Sequence, residues 1–381
     1  MNWILSIVFQ LFLTGDGEIF IKIAKVWVEM RSPNRTSALV AAGFLAVGIV
    51  IGAALVYFTL AQQTPQVFQV KFVLDWAIQG PQAPFIVALE KGYFAQEGLA
   101  VTVDRGYGSA DAITKVASGA YHMGYGSIDA LIEFNAKNPG NELVAVYVVL
   151  NRPPYAVVTL KEKGIGSPID LEGRRIGAPE GDAPRRLFPV FAKAAGIDPG
   201  RVEWVSIAPQ LRETALVKGE VDAVTGFEYT VVLNLRALNV ESERIVVFRY
   251  SDLGLPLYGN AIIVRKDFLQ THPDVVTRFV RAVNRALKDV ISNPAEAAEL
   301  VKMRDPLVDK DLEYMRLTMA LQNNVLTEEV ERLGLGAVDK SRLEQTIRAV
   351  AEAFGLQRVP SVDEVFTDRF LPPLEERRVR S

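Results

Sequence analysis

From Val67 onward, the chain alternates short apolar runs with stretches whose apolar residues recur at helical spacing. The first unit is a strand at residues 68–74 followed by a helix at residues 83–91. Strands that alternate with helices form parallel sheets with helices on both faces, and ligands bind beyond the carboxyl ends of such strands. Further strands are predicted at 101–104, 121–126, 143–150, 175–178, 202–205 and 223–226, and further helices at 109–118, 184–195 and 211–218.

Two segments are predicted to carry the chain from one sheet to another. Residues 155–159 form a strand that leaves the first sheet, and residues 257–264 form a strand that returns to it. The residues between them are enough for a complete lobe, and two lobes joined by two hinge crossings suit reversible ligand capture. We predict a first lobe of residues 67–156 and 259–381, a second lobe of residues 157–258, and C-terminal helices at 273–292, 294–303, 309–322 and 341–354.

An uncharged segment precedes the lobes. Arg31 and Arg35 stand before residues 38–61, which carry no charged side chain. At about 1.5 Å per residue, a helix of this length spans a hydrocarbon core of about 30 Å. Residues 59–61 also match a cleavage site after a signal sequence. We therefore predict that residues 1–62 are a signal sequence or an uncleaved membrane anchor. Both place the lobes outside the cytoplasm, because the basic residues precede the span.

Composition excludes several classes of function. The chain has no cysteine, which excludes thiol catalysis, disulfides and a cysteine-based metal site, and its two histidines are too few to suggest a metal centre. The net charge is −3, and the basic residues are scattered among acidic ones, so no basic stripe indicates nucleic acid. We predict no catalytic residue, no metal and no cofactor, and we expect a monomer because no apolar stripe demands a partner.

Polar and aromatic residues follow the predicted strands of the first lobe. Asp75 and Trp76 end the first strand and precede a loop that contains Gln79, so the indole offers a stacking face and the polar groups orient a ligand. Two roles stay open for Asp75, a ligand contact and a cap of the following turn. After the second strand, Tyr107 provides an aromatic wall, and Ser109 is a predicted N-cap beside free backbone N–H groups.

The second lobe has corresponding positions. The turn after the strand at 175–178 contains Glu180 and Asp182, and Phe227 and Glu228 follow a further strand. An acid flanked by aromatic residues suits a flat heterocycle that donates hydrogen bonds or carries positive charge. Carboxylates at Asp75 and Glu228 argue against nitrate or a sulfonate, since a carboxylate beside a bound anion costs energy at low dielectric. The predicted ligand-binding residues are Asp75, Trp76, Gln79, Tyr107, Ser109, Ser127, Glu180, Asp182, Phe227, Glu228 and Tyr258.

Six segments are distributed over most of the chain after residue 67. They are V-L-D-W at 73–76, A-L-E-K-G-Y-F at 88–94, A-S-G-A-Y-H-M-G-Y-G at 117–126, D-L-E-G-R-R-I-G at 170–177, G-E-V-D-A-V-T-G at 219–226 and Y-G-N-A-I-I-V at 258–264. Through these segments, nearly all of residues 68–372 resemble the periplasmic solute-binding proteins of the thiamine-pyrimidine, sulfonate and nitrate family. The resemblance implies a two-lobed periplasmic binding protein fold of type II, with capture of a small molecule and delivery to an ABC transporter made of a permease and an ATPase.

The first loop departs from the pattern of the pyrimidine binders in this family, which carry W-x-P-N-x-x-H-x-G. The matching positions are Trp76, Ile78, Gln79, Gln82 and Pro84, so only the tryptophan is retained. Eukaryotic pyrimidine synthases of the same fold need the histidine and a cysteine-rich iron motif. This chain has Gln82 at the histidine position and no cysteine, so we predict that it is not an enzyme.

These observations predict a periplasmic receptor of an ABC importer that captures a small heteroaromatic molecule, similar to a thiamine pyrimidine precursor, in the cleft between the lobes. Its predicted partners are the ligand, the permease and the ATPase, and also the membrane if residues 1–62 are not cleaved. Two alternatives stay open. One is a receptor for a sulfonate, nitrate or another oxyanion, bound by amides near Ser109. The other is a membrane-tethered ligand-sensing domain.

Overall fold

The computed structural model describes residues 67–379, together with Gly48 and Gly52. The predicted membrane segment at 38–61 and the predicted cleavage site therefore lie outside the described residues, apart from those two glycines. Within the described part, no helix is both long enough and apolar enough to cross a membrane.

Between residues 67 and 379, ten strands form two five-stranded sheets, one in each lobe. The strands are β1 (Phe68–Val73), β2 (Leu99–Asp104), β3 (Met123–Ser127), β4 (Leu143–Val148), β5 (Tyr155–Leu160), β6 (Arg175–Ala178), β7 (Glu203–Ser206), β8 (Ala223–Phe227), β9 (Ile245–Arg249) and β10 (Asn260–Arg265). The first sheet has the order β2-β1-β3-β10-β4, and the second has the order β7-β6-β8-β5-β9.

Each sheet contains one strand that runs against the others. In the first sheet, β1 pairs in parallel with β2 and β3, whereas β10 is antiparallel to both β3 and β4. In the second sheet, β6 pairs in parallel with β7 and β8, whereas β5 is antiparallel to both β8 and β9. The remaining four strands of each sheet therefore share one direction, which agrees with the predicted mainly parallel sheets.

The reversed strands β5 and β10 are also the strands that follow the two crossings. Because β4 pairs in the first sheet and β5 in the second, the first crossing occupies residues 149–154. The second crossing occupies residues 250–259, between β9 and β10. The predicted lobe boundary after residue 156 falls inside β5, and the one after residue 258 falls inside the second crossing.

Helices flank both sheets. The helices are α1 (Ala83–Glu90), α2 (Tyr93–Gln96), α3 (Ser109–Ala117), α4 (Ile128–Lys137), α5 (Ala183–Arg186), α6 (Phe188–Ala195), α7 (Arg212–Lys218), α8 (Glu228–Ala237), α9 (Lys266–Thr271), α10 (Pro273–Ser292), α11 (Pro294–Arg304), α12 (Lys310–Ala320), α13 (Glu328–Leu333), α14 (Lys340–Ala353), α15 (Val362–Val365) and α16 (Leu374–Arg377). The predicted helix at 184–195 is divided at Leu187 into α5 and α6.

Helix α10 shows why the first lobe holds β1 firmly. Proline at its first position has no backbone N–H to lose, and apolar residues then recur on one face. Val276, Phe279 and Val283 on that face are fully buried. The Phe279 ring lies 5.0 Å from that of Phe72 in β1 and 4.8 Å from that of Phe94, measured between centroids. Burial of each such side chain contributes about 1.5–3 kcal/mol, so the end of β1 is a rigid platform.

Candidate ligand-binding site

A cavity lies between the two lobes. It stands at the carboxyl ends of β1 and β2 in the first lobe and of β6 and β8 in the second, where a crevice is expected in sheets of this kind. Its lining residues are Asp75, Trp76, Gln79, Gln82, Gly108 and Ser109 from the first lobe and Asp182, Ala183, Arg212, Phe227, Tyr229 and Thr230 from the second.

Asp75 is buried and held by two side-chain amides. Its Oδ1 accepts a hydrogen bond from Gln82 Nε2 at 3.2 Å, and its Oδ2 accepts one from Asn260 Nδ2 at 2.8 Å. Burial raises the pKa of the Asp75 carboxyl from 3.8 to about 6, although the two amides oppose the shift. The side chain therefore has a fixed orientation at the wall of the cavity.

The loop that carries Trp76 is fixed by the distant helix α12. The Gly80 N–H donates to Glu313 Oε2 at 2.6 Å. A Cβ atom at position 80 would lie 2.2 Å from the Glu313 carbonyl oxygen, so only glycine allows this approach. Further along the rim, Gln79 Oε1 accepts a hydrogen bond from Thr230 Oγ1 of the second lobe at 3.1 Å. The indole of Trp76 is thus presented to the cavity by a loop with little freedom.

Arg212 is the cation of the cavity, and its side chain is 1% exposed. Its Nε and Nη2 donate to Glu213 Oε1 at 3.0 and 2.7 Å, and its Cζ lies 5.4 Å from the centroid of the Trp76 ring. A Cβ atom at Gly226 would lie 2.7 Å from Arg212 Nη1. The guanidinium therefore lies near Trp76 of the first lobe and against the backbone of its own lobe.

Three residues of the cavity wall carry a buried polar atom that has no hydrogen-bond partner within the described part of the chain. These atoms are Gln82 Oε1, Asp182 Oδ2 and the Tyr229 hydroxyl. An unsatisfied buried polar group costs about 1–3 kcal/mol, and native proteins contain few of them. Burial, with a further contribution from nearby Asp75, raises the pKa of Asp182 from 3.8 to about 7. The wall is therefore rich in acceptors that a bound molecule with N–H groups would satisfy.

The two lobes touch beside the cavity, so the molecule is in a closed state. A Cβ atom at Gly108 would lie 2.4 Å from the carbonyl oxygen of Gly181, and Gly108 has a φ of +129°, which favours glycine. Side-chain contacts also join the lobes. Tyr155 donates to Asp129 Oδ1 at 2.6 Å, and Arg186 Nη2 lies 2.5 Å from Glu133 Oε1.

Comparison with known proteins assigns the family. The family described as "NMT1/THI5 like" matches residues 80–297, which is more than half of the chain. The chain belongs to the NMT1/THI5-like family.

Relatives in this family carry different names. The chain is 29% identical over 237 residues to the formylaminopyrimidine-binding protein of Halalkalibacterium halodurans, covering 61% of this chain and 69% of that one. It is 26% identical to the riboflavin-binding protein RibY of Chloroflexus aurantiacus, with 81% and 87% covered. It is 23% identical to the 4-amino-5-hydroxymethyl-2-methylpyrimidine phosphate synthase of Legionella pneumophila, with 80% and 92% covered.

Solved structures with low sequence identity to this chain share its fold. The alkanesulfonate-binding protein SsuA of Xanthomonas axonopodis pv. citri matches with a TM-score of 0.62 and 14% identity, covering 78% of this chain and 98% of that one. The periplasmic nitrate-binding protein NrtA of Synechocystis PCC 6803 matches with a TM-score of 0.62 and 15% identity, with 80% and 88% covered. The described part of the chain therefore has the periplasmic binding protein fold.

The structure brings six of the sequence-predicted site residues together in this cavity and leaves five outside its lining. Those that line it are Asp75, Trp76, Gln79, Ser109, Asp182 and Phe227. Ser109 is not the N-cap that the sequence predicted, because the helix begins at Ser109 itself and Gly108 occupies the N-cap position. Those outside are Tyr107, Ser127, Glu180, Glu228 and Tyr258.

Three of the five residues outside the lining have local roles. Tyr107 is 48% exposed, and the Arg105 guanidinium lies over its ring at 4.8 Å. Ser127 caps α4, since its Oγ accepts the Ala130 N–H at 3.4 Å. Glu180 is exposed and accepts a hydrogen bond from the Ser206 hydroxyl at 2.9 Å.

Glu228 and Tyr258 are engaged by other parts of the protein. The Glu228 carboxylate accepts two hydrogen bonds from Arg249, at 2.6 and 2.8 Å. Tyr258 is buried in the first lobe, where its hydroxyl donates to Glu329 at 2.5 Å and accepts the Asp339 N–H at 2.7 Å. The predicted argument against an oxyanion ligand, which used Asp75 and Glu228, therefore loses Glu228.

Sequence reasoning did not assign six of the lining residues to the site, namely Gln82, Gly108, Ala183, Arg212, Tyr229 and Thr230. For two of them, the sequence contains a feature that could have assigned them to the site. Gln82 stands at the histidine position of the family motif, and Tyr229 is the second aromatic residue beside Glu228. Arg212 gave none, because an arginine followed by a glutamate at the start of a short helix is typical of a solvated surface.

Proposed function

We propose that this protein is the solute-binding receptor of an ABC importer and that it captures a small, uncharged heteroaromatic molecule with N–H donors. The observation that carries this proposal is the cavity wall itself. It combines the face of Trp76 with unpartnered buried acceptors at Gln82 and Asp182. A flat ligand that stacks on the indole and donates hydrogen bonds would bury apolar area and satisfy these acceptors at once.

The names of two relatives support this ligand class. A formylaminopyrimidine and riboflavin are both nitrogen heterocycles with hydrogen-bond donors, and the proteins named for binding them align with 61% and 81% of this chain. Of these two ligands, the formylaminopyrimidine has a single aromatic ring, and the protein named for binding it has the higher sequence identity to this chain, 29% against 26%. We therefore propose a ligand with one aromatic ring, similar in size to a pyrimidine.

Capture of a sulfonate or nitrate is the second candidate, because Arg212 places a positive charge in the cavity. That charge is already matched within the second lobe, where Glu213 accepts two hydrogen bonds from the guanidinium and Asp182 lies 4.0 Å from Nη1. A bound anion would face these carboxylates at low dielectric, where repulsion is strong. The charges of the wall thus favour a neutral ligand over an oxyanion.

The role of pyrimidine synthase is less consistent with the residues. Relatives with that name exist in the family, including one that covers 80% of this chain. The synthases that the sequence resembles use a histidine in the first loop and a cysteine-rich iron motif. Gln82 occupies the histidine position, and the sequence has no cysteine. We propose a receptor that binds its ligand and releases it unchanged, on the outer side of the cytoplasmic membrane.

The test is thermal unfolding of the full chain, solubilised in a mild detergent, with 4-aminopyrimidine, riboflavin, taurine and nitrate. A ligand at 100 times its dissociation constant stabilises the fold by about 2.7 kcal/mol, a shift of a few degrees. We expect a shift with a heterocycle that disappears in Trp76→Ala and persists in Trp204→Phe, a control in β7 outside the cavity lining. A shift with taurine or nitrate alone would replace the heteroaromatic ligand by an oxyanion.

A further inference from the structure

We propose that Arg212 and Asp182 act as a specificity pair that accepts one particular ligand edge. This edge carries a hydrogen-bond acceptor directly beside a hydrogen-bond donor. The inference rests on the proposed function, since it assigns the discrimination between heterocycles within the same cavity to two residues of the second lobe.

The first step of the argument is that both groups have unused hydrogen-bonding capacity. Among residues 67–379, Arg212 Nε and Nη2 donate to Glu213, but no acceptor lies within hydrogen-bond distance of Nη1. The nearest carboxylate oxygen is Asp182 Oδ2 at 4.0 Å, which is beyond the usual 2.7–3.2 Å of an N–H···O bond. Asp182 Oδ2 is itself buried without a partner. A donor and an acceptor therefore stand side by side without bonding to each other.

The second step concerns the shape that would satisfy both groups. A ring nitrogen next to an exocyclic amino group accepts from Arg212 Nη1 and donates to Asp182 Oδ2. A ring carbonyl next to a ring N–H does the same. An edge with only acceptors would leave Asp182 Oδ2 buried and unpaired, and sites built to bond a ligand group reject analogues that lack it strongly. The pair thus selects for the acceptor–donor edge and against its methyl analogue.

The third step is that the arginine is held in place before any ligand arrives. Glu213 fixes two of its nitrogens, and the ring of Trp76 lies 5.4 Å from Cζ. On another side, the backbone of Gly226 leaves no room for a Cβ atom, which would lie 2.7 Å from Nη1. A side chain locked by packing and hydrogen bonds presents its free N–H groups in one orientation, which is the condition for reading a ligand edge.

The test compares three probes of nearly equal size by isothermal titration calorimetry on the full chain at pH 8. 4-Aminopyrimidine has the amino form of the edge and 4-pyrimidinone the carbonyl form, whereas 4-methylpyrimidine has the acceptor without the donor. We expect the wild-type protein to bind at least one of the first two about tenfold or more tightly than 4-methylpyrimidine, as expected for a hydrogen bond to a charged group. The better of the two identifies the form of the edge.

Substitutions locate the preference. In Asp182→Leu we expect the preference over 4-methylpyrimidine to disappear while binding of 4-methylpyrimidine itself persists. Asp182→Asn keeps one acceptor oxygen and gives a second result if the leucine variant does not fold, with an intermediate preference. Glu180→Gln, two residues earlier and outside the cavity lining, is the matched control and should retain the full wild-type preference.

The outcomes separate this inference from the proposed function. Equal affinity of the wild-type protein for all three probes would overturn the specificity pair but not the proposed heterocycle receptor. The same conclusion would follow if Asp182→Leu retained the wild-type preference. Absence of binding by all three probes would overturn both.

Discussion

Each lobe places one buried aspartate at the cavity wall, and the two carboxylates differ in the hydrogen bonds that they accept. Asp75 of the first lobe accepts hydrogen bonds from two amides, one on each carboxylate oxygen, whereas Oδ2 of Asp182 in the second lobe has no partner among residues 67–379. Burial raises the pKa to about 6 for Asp75, where the two amides oppose the shift, and to about 7 for Asp182, where Arg212 opposes it and Asp75 adds to it. We call the cavity lining from the first lobe the first wall and that from the second lobe the second wall. In the first wall the buried carboxylate is satisfied by protein groups, whereas in the second wall one carboxylate oxygen is left for a ligand.

The largest effect is expected from breaking the ion pair of the second wall. Arg212→Met leaves Glu213 buried without its cation, and loss of one partner of a buried pair costs about 3–5 kcal/mol. We expect the free energy of unfolding, measured with urea, to fall by that amount. The double variant Arg212→Met/Glu213→Leu should recover most of it, because the carboxylate that accepted both guanidinium hydrogen bonds is removed together with the cation. A double variant as unstable as the single one would show that Arg212 stabilises through packing and not through charge.

Replacement of Asp75 or Asp182 by asparagine tests how much ionisation of each carboxyl destabilises the fold. Since the folded-state pKa of each carboxyl lies above 3.8, ionisation destabilises the fold. The fold is most stable while each carboxyl is protonated, and this stability is fully present below about pH 3.8. It is lost as the pH rises through about 6 for Asp75 and through about 7 for Asp182. At pH 8, Asp182→Asn should stabilise by on the order of 2–4 kcal/mol, and Asp75→Asn by less.

The measurement is the free energy of unfolding of both variants at pH 8 and at pH 3.8. Asp75→Asn is accommodated if the Gln82 amide rotates, since Gln82 Oε1 has no partner within the described residues. The gain over wild type should vanish for both variants at pH 3.8. A gain that is the same at both pH values would mean that ionisation of these carboxyls is not its cause.

A smaller effect is expected where the two lobes meet. Gly108→Ala places a Cβ atom 2.4 Å from the Gly181 carbonyl, so the lobes cannot reach the closed state. We expect ligand affinity to fall about tenfold, which corresponds to about 1.4 kcal/mol, and the ligand-dependent decrease in radius of gyration by X-ray scattering to disappear. Gly181→Ala is the matched control, because its Cβ atom would meet its neighbours at ordinary distances of 3.7–3.9 Å. Equal loss in both variants would contradict this explanation.

The smallest effect is expected from Glu228→Gln. The Glu228–Arg249 pair is partly exposed, and such pairs contribute about 0–1 kcal/mol. Ligand affinity should stay unchanged because Glu228 does not line the cavity. A clear loss of affinity by calorimetry would return Glu228 to the site that the sequence suggested.

The fold was largely predictable because the spacing of apolar residues within a short segment distinguishes a strand from a helix. β6 and α10 match their predicted bounds, and most other predicted elements differ by a few residues. Eight of the described elements were not predicted, namely β9, α2, α4, α8, α9, α13, α15 and α16. The residues of β9 are only partly buried, and α8 begins directly at Glu228 without a loop after β8, so neither the apolar pattern nor a turn marked its start.

The site was predictable only where chain order determines position. Asp75, Trp76 and Asp182 follow strand ends, and the carboxyl ends of parallel strands meet at one edge of the sheet. Whether a side chain then turns into the cavity depends on neighbours far away in sequence. Glu228 turns to Arg249, and Arg212 is buried by Glu213 and the absence of a side chain at Gly226. No local pattern contains that information.

The long-range bonds of the first wall also determine when a binding site can exist during the life of the chain. The carboxylate of Asp75 is held by an amide 185 positions later, and the Gly80 N–H is held by a carboxylate 233 positions later. A chain synthesised only as far as the end of β9 contains the whole second sheet and the first sheet without β10, but neither of these supports. Under the proposed function, the chain therefore becomes competent to hold its ligand only after synthesis has passed Asn260 and Glu313.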